Sequence, residues 1–169
     1  IVAAASYAPL FVNWNDRHWM PDSIPFNSSQ SYGTVSYHNQ VLFANSLSTL
    51  KAGTVQTLTN TLTGTKDLSV SVVKGASTTS NGEAYVLKLV NYGANPVTLT
   101  IQINSNSAIS SSGKWTSIQG NPNDENSFDN PTNIVPVTGP VGTGSSFSVQ
   151  VAANSINVLQ VGTSSIASQ

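Results

Sequence analysis

From Lys51 onward, apolar and polar residues alternate with a period of two. Leu68-Ser69-Val70-Ser71-Val72, Val97-Thr98-Leu99-Thr100-Ile101-Gln102-Ile103 and Phe147-Ser148-Val149-Gln150-Val151 alternate strictly. A strand does this when one face is buried and the other is wet. Tyr85-Val86-Leu87-Lys88-Leu89-Val90 and Ile156-Asn157-Val158-Leu159-Gln160-Val161 carry longer apolar stretches, and Thr54 to Leu62 reads as a further, Thr-rich strand. Turn signals separate them: Asn81-Gly82, Tyr92-Gly93-Ala94-Asn95-Pro96, Ser112-Gly113 and Gly142-Thr143-Gly144, with Gly64 and Gly75 as isolated turns. Six or more short strands between turns predict a β-sandwich, with the jelly roll as one form, over residues 51–169. One irregular segment, Gln119 to Pro140, interrupts the pattern. Long ordered loops often bind ligands or cover a neighbouring domain.

Residues 1–50 are of another style. The apolar run from Ile1 reads as a buried strand ending near Val12, limited by Pro9, and feeding a loop. Thr34 to Leu47 predicts a helix, with Tyr37, Val41 and Ala44 at i, i+4 and i+7, and with Leu42 and Phe43 widening the stripe. Ser36 or Thr34 would cap it. Strand, loop and helix make one βα unit, which cannot bury itself alone. The predicted fold is therefore mainly β, with a βα unit over 1–50 ahead of a sandwich over 51–169.

Composition narrows the function classes. Six Lys+Arg against seven Asp+Glu leave a net charge of −1, and charged residues make up 8% of the 169. Nucleic-acid binding needs clustered cations to displace phosphate counterions, so that class is set aside. No apolar run approaches the roughly 20 residues of a bilayer span. Ser and Thr make up roughly a quarter of the chain, a content common in secreted β-proteins, while the interleaved Val, Ile and Leu argue against disorder. Cysteine is absent, which excludes disulfides and thiolate metal sites within this chain. Ile1, with no Met and no signal pattern, reads as a processing or cleavage point.

The chemistry-bearing residues gather in the first loop. Trp14, Arg17, His18 and Trp19 surround Asp16 and Asp22. Trp faces stack on sugars, and Asn or Asp side chains bond hydroxyls; packing of an aromatic-rich barrel rim explains the same residues. Asp16-Arg17-His18 suggests a charge relay, but no Gly-x-Ser-x-Gly elbow places a nucleophile. His18 and His38 lack metal-ligand spacing, and each reads as structural. Asp124, Glu125 and Asp129 offer oxygen ligands without the regular calcium-loop spacing, so a hydrogen-bonded loop is expected and no metal. Glu83, between a turn and a strand, reads as a solvated edge residue. Asn27-Ser28-Ser29 is a sequon, making Asn27 a candidate glycan site; Asn130-Pro131-Thr132 is blocked by its proline.

Ala5 to Asn13, followed by Asn15-Asp16-Arg17-His18-Trp19-Met20-Pro21-Asp22-Ser23-Ile24, resembles the end of the catalytic barrel in eukaryotic-type α-L-arabinofuranosidases of glycoside hydrolase family fifty-one. Tyr32 to Phe43 is similar to that family's last barrel helix. Tyr85 to Asn91, Asn95-Pro96-Val97 and the loop Asn121 to Pro131 resemble its C-terminal β-domain. The resemblance implies a (β/α)8 barrel followed by a jelly roll, of which this chain holds only the last βα unit and the β-domain. It also implies a retaining exo-hydrolase, without cofactor, that removes arabinofuranosyl side groups from arabinoxylan and arabinan. Retention uses two carboxyl groups about 5–5.5 Å apart. In the family both are glutamates on earlier barrel strands, and this chain has only Glu83 and Glu125, both in the β-portion. No catalytic residue is expected here, and the chain alone should be inactive.

A larger N-terminal polypeptide is thus the expected partner, left associated by proteolytic nicking. Separate expression of a fragment is the alternative, and a lone strand at the N-terminus would expose a sticky edge. Residues just after the first strand are the expected rim. Asn13, Trp14, Asn15, Trp19 and Asp22 are its candidate substrate contacts, by stacking and hydrogen bonding. The competing reading is a non-catalytic carbohydrate-binding or structural sandwich. It fits poorly with Trp115 as the only Trp in the β-part.

Overall fold

The structure is a computed structural model that describes residues 6–62 and 66–163. Along the chain come β1 (Phe11–Asn13), a 3₁₀ turn (Trp14–Asp16), β2 (Ile24–Phe26) and α1 (Val35–Asn45). Then follow β3 (Gln56–Leu58), β4 (Leu68–Ala76), β5 (Glu83–Asn91), β6 (Val97–Gln102) and β7 (Ser112–Gln119), with β8 (Val137–Gly142), β9 (Ser146–Val151) and β10 (Ser155–Gly162) closing the sequence.

Strand alternation decides the layers. β3-β4-β5-β10-β7-β8 form one antiparallel sheet, and β6 and β9 pair antiparallel as a second. Tyr85, Leu87 and Leu89 of β5 join Leu159 and Val161 of β10 on one face, where Val149 and Val151 of β9 meet them. Ala84 and Val86 of β5 and Val158 of β10 point the other way, onto Leu42 of α1, Leu50 and Ile134. The centre of the large sheet is therefore covered on both sides. This is why β5 and β10 read as continuous apolar runs, while β6, with one wet face, alternates. Lys88, on the α1 face, rests its ammonium 4.6 Å from the Phe43 ring centroid, and burial pulls its pKa below the usual lysine value. Such a contact stabilises the helix–sheet junction by about 0.5–2 kcal/mol.

Buried amides close the strand ends. Asn91 Nδ2 donates to Asn95 O and Ala152 O, each at 2.9 Å, and Asn91 Oδ1 accepts from Gly93 N at 3.0 Å. The turn signal after residue 91 thus owes its shape to an amide that also ties β5 to the end of β9.

Several sequence expectations change. The sandwich stands, but of the strand expected from Ile1 to Val12 the described residues from 6 onward are strand only from Phe11; residues 1–5 lie outside the described part. Thr54 to Leu62 yields just Gln56–Leu58, an edge strand. Ser112-Gly113 is not a turn but the start of β7, and β8 takes Val137–Gly142 out of the irregular segment, which leaves a loop over 120–136. Period-two reading missed both because β7 has only two large apolar residues and β8 carries Gly139 and Pro140. As the sheet's edge, β8 tolerates a residue without an N–H. Gly75 lies within β4, opposite Ala84; Gly64 falls outside the described residues.

In α1, Thr34 is the N-cap, its Oγ1 accepting from Tyr37 N at 3.3 Å. The buried stripe is Leu42 with Val35 and Phe43, and Ala44 faces solvent. The helix docks against a sheet rather than as an isolated amphipath, so the sheet's surface selects the stripe. Glu83 is not at an edge: β5 sits between β4 and β10. Its Oε1 accepts from Lys74 Nζ at 2.9 Å and its Oε2 from the Tyr85 hydroxyl at 3.2 Å. The Lys74 hydrogen bond, foremost, holds its carboxyl below the usual range.

Candidate functional site

The first loop hangs on a short parallel pair. β1 and β2 align Phe11 with Ile24, Val12 with Pro25 and Asn13 with Phe26, and Ile24 N donates to Leu10 O at 2.9 Å. Leaving β1, the chain turns at once, because Asn13 Oδ1 accepts from Asn15 N at 3.1 Å and caps the 3₁₀ turn. The base of the loop is fixed to the helix start. Thr34 Oγ1 donates to Asp22 O at 2.7 Å, and Thr34 N donates to Ser23 O at 2.9 Å.

Within this loop Arg17 turns inward. Its Nε lies 2.8 Å from Asp22 Oδ2, its N–H is aimed at Trp19 O (3.1 Å), and its Cζ stands 4.6 Å from the Trp14 ring centroid. The Asp22 contact is thus an ion pair without a well-aimed hydrogen bond, and both Asp22 oxygens lack a hydrogen-bond donor. Asn13 and Asn15 are exposed, and Trp14 and Trp19 are 42% and 63% exposed. Asp22 is different. It is 1% exposed, so its side chain sits beneath the rim rather than on it.

A loop from the β-domain reaches this rim. Phe128 sets its ring edge-on to Tyr32 at 4.9 Å and to Trp14 at 5.7 Å. Tyr32 is buried, and burial foremost pushes its phenol pKa up. Asn126, also buried, holds the loop there: Nδ2 donates to Gly33 O (2.8 Å) and Ile134 O (2.9 Å), and Oδ1 accepts from Ile134 N (2.6 Å). Gly33 itself leaves room for α1, since the Tyr37 ring occupies the place a Cβ there would need. Asn126→Ala leaves the buried N–H and C=O of Ile134 and the half-buried Gly33 carbonyl without this partner, each of the buried two costing about 1–3 kcal/mol if nothing else reaches it. The Ile134 amide should then lose hydrogen-exchange protection while β5 and β10 amides keep theirs. Retained protection at Ile134 would show that Asn126 does not fasten the loop.

The remaining candidates have local roles. Asp124 Oδ2 accepts from Asn121 N (2.8 Å) and Asn121 Nδ2 (2.9 Å), shaping the loop that the sequence offered as an oxygen cluster. Among the described residues no three His, Cys, Asp or Glu are grouped as metal ligands. His18 and Asp16 pair at 2.9 Å in the open. His38 packs against Tyr37, and burial lowers its pKa. Asn27 Oδ1 accepts from Ser29 N (2.9 Å) and Gln30 N (2.8 Å). Trp115 packs against the sandwich core and offers no exposed platform.

Sequence reasoning did not single out Phe128, Asn126 or the central place of Arg17. Phe128 carried a signal, as the one large apolar residue between Gln119 and Asn133. The other two carried none.

The chain is similar to known proteins over nearly its whole length. Residues 1–155 match the model of the α-L-arabinofuranosidase C-terminal domain. α-L-Arabinofuranosidase 1 of Arabidopsis thaliana is 44% identical over 142 residues, 80% of this chain and 20% of that protein. A probable α-L-arabinofuranosidase A of Aspergillus terreus is 29% identical over 162 residues, covering 94% of this chain and 23% of its own length. The structure of an arabinose-bound GH51 α-L-arabinofuranosidase superposes with a TM-score of 0.80 at 29% identity, over 95% of this chain and 24% of that one. This chain spans about a fifth of the length of the Arabidopsis relative. On the match of the family model to residues 1–155, the chain belongs to the α-L-arabinofuranosidase C-terminal domain family.

Proposed function

We propose that this chain is the C-terminal portion of a secreted, retaining α-L-arabinofuranosidase that removes arabinofuranosyl side groups from arabinoxylan and arabinan. In this reading residues 1–50 supply the last βα unit of a (β/α)8 barrel. The other barrel strands, with both catalytic glutamates, belong to a larger N-terminal polypeptide. The β1–β2 pair carries the proposal. Parallel strands are found in sheets covered on both faces, and a lone two-stranded pair is marginal in water. Here Leu10, Phe11 and Met20 stand 51%, 61% and 65% exposed around it. Companion barrel strands would cover this apolar surface.

Asn13, Trp14, Asn15 and Trp19 follow the C-terminal end of β1, the end at which such barrels bind ligands. Exposed rings there suit the C–H faces of sugars, and the amides suit their hydroxyls. Asn27 is the proposed glycan site; its turn hydrogen bonds use Oδ1 and leave the attachment atom Nδ2 out of them. Denaturing mass analysis of the natively purified particle, alongside NMR of the anomeric product, tests the proposal. It requires a polypeptide that supplies the paired glutamates, a glycan on the Asn27 peptide, and release of arabinose with retention. A particle of the 17.7 kDa chain alone that nonetheless releases arabinose would refute the division of labour. No turnover in a particle that has the larger polypeptide would refute the activity.

A further inference from the structure

We infer that Arg17 is a positioning residue: it holds Trp14 and Trp19 in the arrangement that presents them to the substrate's aglycone chain, and buried Asp22 is its anchor. The inference rests on the reading that this rim meets a sugar polymer.

One guanidinium touches all three loop residues. It lies over the Trp14 ring at 4.6 Å, donates to the Trp19 carbonyl at 3.1 Å and pairs with Asp22 at 2.8 Å. A planar guanidinium can stack by its face while its N–H groups act in the plane; an ammonium cannot do both. The exposures follow this division. The Arg17 side chain is 17% exposed and that of Asp22 0%, whereas the Trp19 and Met20 residues beside them are 63% and 65% exposed. The only other side-chain bonds along residues 14–22 are the Asn13 cap, the exposed Asp16–His18 pair and the Thr34 bond to the Asp22 carbonyl, among the described residues. None of those reaches either indole.

Asp22 then has a physical reason to be buried. A carboxylate without solvent is costly unless a cation answers it, and Arg17, the sole Arg of the chain, is that cation. Because the guanidinium covers one face of Trp14, Trp19 is the freer platform. Its exposure, 63%, suits it to meet the polymer backbone.

The test uses the full-length enzyme and four variants: Trp19→Ala, Arg17→Lys, Arg17→Met, and Arg17→Met with Asp22→Asn. The double variant avoids stranding a buried carboxylate, so it separates positioning from folding. Steady-state kcat and KM are measured on arabinoxylan and on an aryl α-L-arabinofuranoside, with Tm beside them. The ratio of the arabinoxylan KM to the aryl KM is expected to rise about 3–10-fold in Trp19→Ala and equally in the double variant. Arg17→Lys should recover part of that shift. If Trp19→Ala shifts the ratio and the Arg17 variants do not, Arg17 has no positioning role and the rim reading survives. If Trp19→Ala leaves the ratio alone, the rim reading itself fails. If the double variant lowers kcat and Tm together with no change in the ratio, Arg17 is only structural and the inference is overturned.

Discussion

The isolated 169-residue chain is expected to show no hydrolysis of an aryl α-L-arabinofuranoside above the buffer rate. Full-length glycosidases accelerate such reactions by at least about 10⁶-fold, so the difference is unmistakable. Retaining hydrolysis needs one carboxyl group to protonate the leaving oxygen and another, about 5–5.5 Å away, to attack the anomeric carbon. Four of the seven carboxylates of this chain are engaged with partners. Glu83 is tied to Lys74 and Tyr85, which holds it ionised rather than ready to give a proton. Asp22 is buried against Arg17, Asp124 accepts from Asn121, and Asp16 pairs with His18. Glu125 lies exposed in the β7–β8 loop. The assay is run on chain whose far-UV circular dichroism reports β-structure, so that inactivity is not mistaken for unfolding. Turnover by folded chain, abolished by Glu83→Gln or Glu125→Gln, would place the chemistry here and sink the proposal of a catalytic partner.

The second large effect concerns stability. Leu159→Ala is expected to cost about 3–5 kcal/mol in urea unfolding, which lowers Tm by roughly 10 °C. Leu159 is 0% exposed, at the middle of the sheet's central strand. It stands in register with Leu87 of β5 on one side and Trp115 of β7 on the other, and it packs in the cluster with Val149 and Val151 of the facing sheet. Layers gripped from three sides collapse poorly into a cavity, so the penalty should lie toward the upper part of the range. Val137→Ala is the control. That residue is 67% exposed on the edge strand, and its loss should stay within about 0.5 kcal/mol. Equal effects at the two positions would mean that β10 is not the centre of the core.

The candidate site was half legible. Trp14, Trp19, Asn13 and Asn15 announced themselves as aromatics and amides directly after a predicted strand, and the structure leaves all four open to solvent. Asp22 looked the same on the page and lies buried. Residue type cannot tell an exposed Asp from a buried one, because the difference comes from Arg17 folding back five positions and from Thr34 holding the loop base twelve positions away. Phe128 and Asn126 were harder still. They act on residues about a hundred positions earlier, and only the docked loop brings them there.

The sequence by itself determined what is local or carried by residue identity. Period two marked β4, β6 and β9, and longer apolar runs marked β5 and β10; Thr34 or Ser36 marked the start of α1; and the order of the first loop and the Asn-rich loop marked the family. Tertiary structure decided the rest. It made weakly patterned β7 and β8 into strands, chose Leu42 over Ala44 as the buried face of α1, sank Asp22 under the rim and seated Phe128 beside Trp14. The division follows from range. Backbone periodicity and capping depend on neighbours within a turn or a strand. Burial and pairing depend on which distant surface arrives, and for this first loop that surface is supplied by the β7–β8 loop and the helix start together.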